Sequence, residues 1–232
     1  MISQVHLGAY QKIAQHFAHQ IEIPRRQMIS QVHLGSAAKS TMQSNALPSE
    51  YELFFAFAEI AAALWVHIQT FEVTLRAFIN KVMTDVYDSE SWFDIPKLLA
   101  KHELFQVTKV RSTRNRKGLN RIQVNSDLSL SFWIDLLSHK YHNKIWIHLA
   151  RALPHYNGSR EDFYNKAREI RNLRNSIAHH GPIMRRNLIR DHAYLGELTA
   201  ILDPELAREV EKRSRVLDLL LNARLVGSGG GI

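Results

Sequence analysis

The sequence predicts an all-α helical bundle, on three observations. Apolar residues recur at steps of three and four, the helical period, over long stretches. Strand signals, alternating apolar and polar residues between turn residues, are nearly absent. Cap and exit signals punctuate the helical stretches where a bundle needs loops. At 232 residues, one domain with decorations is the natural expectation.

The elements follow in order. Residues 1–45 read as a flexible arm, because Met1 to Gly8 recurs verbatim as Met28 to Gly35 with no period around it. We read this as a recent local duplication or an expression scar. Residues 46–226 read as the helical domain. Ser49-Glu50-Tyr51-Glu52 has capping-box spacing. Leu53, Phe57, Ile60, Leu64, Ile68, Phe71, Leu75, Phe78, Val82 and Val86 then mark one face of a long helix, bent or broken somewhere along it. Ser91 to Leu104 gives a short helix or turn around Trp92, Phe93 and Pro96. Phe105 to Asn125 has poor periodicity and no acid, and is expected to be a basic loop. Leu128 to Leu137 and Ile145 to Leu153 are helical, with Phe132 and Trp133 expected in the core. Ser159 is the expected N-cap of the next helix, which exits at Gly181-Pro182. Leu188 to Leu202 is another helix, and Asp203-Pro204 starts one more that runs to Leu225. Residues 227–232 form a Gly-rich tail.

Composition bounds the function. Lys and Arg total 30 against 22 acids, a formal charge of +8, which favours an anionic partner, nucleic acid first. There is no Cys, so disulfides, thiolate zinc sites and a Cys nucleophile are excluded. The longest apolar run, Ile60 to Val66, is far short of the ~20 residues of a membrane helix. No basic-then-apolar leader opens the chain, so a soluble cytoplasmic protein is expected.

The chemistry concentrates in Arg171-Asn172-Leu173-Arg174-Asn175-Ser176-Ile177-Ala178-His179-His180, at the end of a helix. A His of ordinary pKa near 6.5 can move protons near neutrality, an Arg can hold a phosphate, and an Asn can fix geometry. Such residues can cleave RNA without a metal. The 2′-hydroxyl attacks phosphorus, giving a 2′,3′-cyclic phosphate and a 5′-hydroxyl. Asn175 and His179 are one helical turn apart, with Arg171 one turn earlier. Arg174 and His179 are five residues apart, so they diverge by about 140° around an ideal helix. A bent last turn, a long reach by Arg174, or a second copy of the helix would bring them together. Read blandly, the arginines are a solvated face and His179-His180 a pair favoured by the helix dipole. A metal reading is weaker, since adjacent histidines share no face and His179 has no carboxylate three or four residues away.

Arg174-Asn175-x-x-x-His179 resembles the HEPN ribonuclease motif, Arg followed by four residues and His. Its surroundings resemble the bacterial Abi-like (abortive infection AbiD/AbiF) family over about residues 49 to 222. Four segments carry the likeness: Tyr51 to Arg76, Leu128 to Leu137 with Phe132-Trp133, Arg171 to Pro182, and Ser214 to Leu217. The chain departs from the family pattern twice. Ala77 follows Arg76 where the family has Asn, and Gly181 stands where family members often carry Glu.

The resemblance implies a HEPN-like bundle with extra helices, and a metal-independent endoribonuclease acting as a toxin in antiphage defence. It implies a homodimer with a composite site and no cofactor, restrained by a structured RNA or a protein antitoxin. Arg174, Asn175 and His179 would be catalytic, supported by Arg171, His180, Glu72 and Arg76. Lys109, Arg111, Arg114, Arg116, Lys117 and Arg121 would contact RNA phosphates, with a plain solvated loop an equal reading. The rival reading is a non-catalytic module that binds RNA or protein.

Overall fold

The computed structural model describes residues 50–117 and 124–227. The duplicated segment, the Ser49 half of the expected capping box and most of the Gly-rich tail lie outside the described residues. Eight α-helices and no strand occur among the described residues: α1 (Glu50–Tyr87), α2 (Lys101–Arg116), α3 (Leu130–Asp135), α4 (Ile147–Arg151), α5 (Arg160–Ala178), α6 (Leu188–Leu202), α7 (Pro204–Glu211) and α8 (Val216–Gly227). The expected all-α class is therefore what the chain adopts.

α1 is the spine. Its 38 residues run without a break, about 57 Å at 1.5 Å per residue. It packs against α3, α4, α5, α6, α7 and α8. The buried stripe is Phe57, Ile60, Leu64, Ile68, Phe71, Leu75, Ile79 and Met83. This corrects the sequence reading at the C-terminal end, where Phe78 and Val82 are half-buried and Val86 is exposed. Steps of four there follow the drift of a 3.6-residue period, which an apolar residue on either side of the stripe disguises. α1 is also long and apolar enough to cross a membrane by length and composition, which corrects the expectation drawn from uninterrupted runs. Its apolar stripe is nevertheless the core of this bundle, an arrangement compatible with a soluble protein.

α2 replaces the expected basic loop as far as Arg116. Its weak periodicity has a physical source, because polar side chains attach this helix to the body. Buried Glu103 accepts from Lys140 Nζ (2.5 Å) and from the Tyr141 hydroxyl (2.8 Å). Burial pushes the Glu103 carboxyl up, but the hydrogen bonds from Lys140, Tyr141 and the backbone, together with the Lys140 charge, hold the group below the usual carboxylate range. Arg111 makes a two-pronged bond to Asp94, and buried Arg114 reaches Asp127 at 2.7 Å. Apolar anchoring comes chiefly from Val107.

Phe132 and Trp133 are buried among Trp92 and Phe93, as expected of core rather than of base-stacking platforms. Ser159 caps α5 by accepting from the Asp162 N–H, and Asp203 caps α7 ahead of Pro204. The stretch from Asp203 to Leu225 is two helices, not one. α7 ends at Glu211 and α8 starts at Val216, with Ser214 in the connection turned towards the interior.

Candidate functional site

α5 owes its position to its own sequence. Phe163, Ala167, Ile170 and Leu173 bury one face against the core, which turns the arginines to the other sides. Arg171 is tied to Asp135 of α3 at 3.0 Å. Arg174 comes alongside α1, with its Nε 3.9 Å from Glu72 Oε2. Arg76 approaches the other Glu72 oxygen, also at 3.9 Å, and donates to the Ser126 carbonyl at 3.0 Å. Glu72 thus sits between two guanidinium groups from two helices. The Glu72–Arg76 pair is partly buried, at 19% exposure for each side chain.

At 3.9 Å these contacts are ion pairs rather than hydrogen bonds. The Nε atoms of both Arg76 and Arg174 are buried and have no hydrogen-bond partner. Arg174 makes no hydrogen bond to the described protein, although Glu72 fixes its direction and its side chain remains 31% exposed. Its terminal N–H groups retain their donor capacity. Two arginines against one glutamate leave the cluster with one net positive charge.

The helix exit is a Schellman arrangement. The Gly181 N–H donates to the Ser176 carbonyl (2.7 Å), and the His180 N–H to the Ile177 carbonyl (3.0 Å). The left-handed residue in it is His180, with φ 53°, and not Gly181. His179 is the C-cap, and both histidine side chains are exposed. No hydrogen bond or ion pair orients the side chains of Asn175, His179 or His180 among the described residues. His180 and Gly181 instead border an apolar cavity of about 440 Å³. Its α1 wall includes Phe54, Ala58, Ala62 and Trp65; Ile177, Ile183 and Met184 line it opposite.

The chain therefore brings Arg174 together with Glu72 and Arg76, residues some hundred positions apart, a convergence that spacing does not reveal. No hydrogen bond or ion pair joins the side chains of Asn175, His179 and His180 to that cluster among the described residues. The expected RNA-binding residues divide. Arg111 and Arg114 sit on α2 rather than in the expected loop and are paired with Asp94 and Asp127. Lys109, Arg116 and Lys117 are exposed on or just past α2, and Arg121 lies outside the described residues.

A second polar cluster escaped sequence reasoning. His67 of α1, His192 of α6, Glu211 of α7 and Ser214 come together, with the two imidazoles buried and Glu211 exposed, and with His67 far in sequence from the other three. The available signal was positional. His67 falls beside Ile68 on the core stripe of α1, and His192 lies between Leu188 and Leu195 on that of α6.

The fold and site define an all-α protein with an Arg-Glu-Arg cluster beneath a histidine-bearing helix exit. Compared with known proteins, the chain matches no family model, no curated protein and no solved structure.

Proposed function

We propose that this protein is a metal-independent endoribonuclease of HEPN type, active as a homodimer in the cytoplasm and serving as an abortive-infection toxin. The observation that carries the reading is Arg174. It is oriented by Glu72 yet spends no hydrogen bond on the protein, which suits a side chain reserved for a phosphate oxygen. Arg76 supports Glu72 from the far side, and Arg171 is locked to Asp135 to steady the same helix.

His179 stands free at the helix end, open to substrate. As a neutral imidazole it takes the 2′-hydroxyl proton; as an imidazolium it returns one to the departing 5′-oxygen. Arg174 stabilises the charge gathering on phosphorus. Because Arg174 and His179 diverge around one helix, a second α5 supplies the complementary set, and two His179 residues divide the roles of base and acid. Asn175 positions the phosphate or the imidazole. The defence role and an RNA or protein antitoxin rest on the sequence resemblance.

A second reading, an RNA- or protein-binding module without cleavage, is favoured by one observation. Nothing among the described residues orients His179 or His180, and Gly181 carries no side chain where the resembling family often has Glu. Purified wild type, His179→Ala and Arg174→Ala are incubated with structured and single-stranded RNA, with and without EDTA, and product ends are mapped. Cyclic-phosphate ends from wild type alone support the nuclease. RNA bound equally by wild type and His179→Ala, with no cleavage by either, overturns it in favour of the module.

A further inference from the structure

His67 and His192 face each other across the α1–α6 interface. Their rings meet edge to face, with centroids 4.6 Å apart and planes at 79°. The Nε2 atoms converge on one point, the Ser214 hydroxyl, at 2.9 Å and 3.3 Å. A Glu211 carboxylate oxygen lies 3.5 Å from His192 Nε2. One ligand atom from each of His67, His192 and Glu211 falls within 4.8 Å of the others. Both imidazoles are buried, at 5% and 6% exposure, whereas Glu211 stands at the mouth of the cluster.

A catalytic relay does not suit this geometry. A Ser-His-acid relay needs the acid on one ring nitrogen and the hydroxyl on the other. Here both Ser214 and Glu211 address His192 Nε2. Burial, with His192 adding to it, pushes His67 down to about 4, and burial lowers His192 as well. Both rings are therefore neutral at pH 7, and each has one proton. Without a cation the Ser214 hydroxyl links the two rings, donating to one Nε2 and accepting from the other. A cation can take the place of that shared hydroxyl, drawing on the two Nε2 lone pairs and on the Glu211 carboxylate beside them.

We propose that His67, His192 and Glu211 form a binding site for a divalent transition metal, zinc foremost, with the Ser214 hydroxyl or a water as fourth ligand. Two neutral imidazoles and one carboxylate are a zinc donor set, and the absence of any Cys leaves nitrogen and oxygen as the donors this chain can offer. Tetrahedral zinc at ~2.0–2.2 Å from its ligands needs donor atoms about 3.4 Å apart. The His192–Glu211 pair already stands at 3.5 Å, and the other separations are within 4.8 Å. The ion would clip α1, α6, α7 and the α7–α8 connection together, tying the C-terminal helices to the core. The site is separate from the Arg174 cluster and does not depend on the nuclease reading.

The test uses untagged full-length protein, stripped with chelator and returned to buffer, and titrated calorimetrically with Zn²⁺. The same protein is titrated with Co²⁺ while its visible absorption is followed. The expected result is saturable uptake of a single equivalent, tetrahedral Co²⁺ bands, and a raised Tm. Glu211→Gln, at an exposed position that leaves folding intact, is expected to weaken Zn²⁺ binding on the order of tenfold to a hundredfold. His192→Gln should abolish it, and His179→Ala should leave it unchanged. No uptake by wild type overturns the proposal. So does uptake that is undiminished in Glu211→Gln, or lost in His179→Ala.

Discussion

The left-handed backbone at His180 makes a quantitative prediction. A non-glycine residue in that conformation costs about 1–2 kcal/mol, because Cβ crowds the following carbonyl. His180 bears this cost at φ 53°, with an exposed side chain that makes no hydrogen bond. Replacing it by glycine relieves the crowding, but glycine's greater freedom when unfolded takes back about 0.5–1 kcal/mol. The net gain expected for His180→Gly is about 0.5–1 kcal/mol, roughly 1–4 °C in Tm for a chain of this size. His180→Ala is the control, since it removes the imidazole while keeping the strained backbone. Urea unfolding of wild type, Ala and Gly forms separates the two contributions. The Gly form should exceed the Ala form by at least the net gain, and RNA cleavage should fall in both. A Gly form no more stable than the Ala form refutes the strain argument. A Gly form that is more stable and fully active refutes any functional reason for keeping histidine there.

Three further outcomes follow from the same structure. Gly181→Glu should cost less than about 1 kcal/mol, because Gly181 is not in the left-handed region and the one tight approach of its Cβ would be to the Ser176 carbonyl oxygen at 3.2 Å; cleavage assays should show higher activity, and an unfolded variant would contradict this. Glu103→Ala should cost about 3 kcal/mol in chemical denaturation, since it strips the buried acceptor from Lys140 and Tyr141, and amide exchange should show α2 losing protection first. In excess chelator, the fold should weaken as pH falls from 6.5 towards 4, because unfolding lets His67 take up a proton that burial denies it. The loss approaches about 1.4 kcal/mol per pH unit, about 3 kcal/mol in all, with His192, Glu211 and Ser214 the groups facing it. His67→Gln should flatten that slope, and an unchanged slope would place the acid sensitivity elsewhere.

Legibility in the sequence tracked the kind of interaction. Elements held by apolar burial were readable, as Leu64, Ile68 and Phe71 on α1 and Phe163 to Leu173 on α5 show. Short-range caps were readable too, at Ser159 and Asp203. Elements held by polar contacts were not. α2 looks like a loop because Glu103, Arg111 and Arg114 hold it where a hydrophobic stripe would normally do so. Its partners Lys140, Asp94 and Asp127 cannot be inferred from periodicity. The candidate site was legible as a motif on α5, and the pairing of Arg174 with Glu72 was foreshadowed only by the α1 segment of the family resemblance. The His67–His192–Glu211 cluster had no spacing signal, because its members meet through three separate helices and a break between α7 and α8 that no Pro or Gly announces.

The unbroken course of α1 has an evolutionary consequence. The cavity wall at Trp65, the buried imidazole of His67 and the carboxylate of Glu72 all hang on one shaft, within two turns of each other. A single inserted residue would turn everything beyond it by about 100°, carrying Glu72 away from Arg174 and burying polar side chains in the core. Descendants of this chain can therefore vary these three positions one by one, by substitution, but cannot lengthen or shorten the helix between them. Changes in length should be confined to connections between helices, outside the angular order of the shaft.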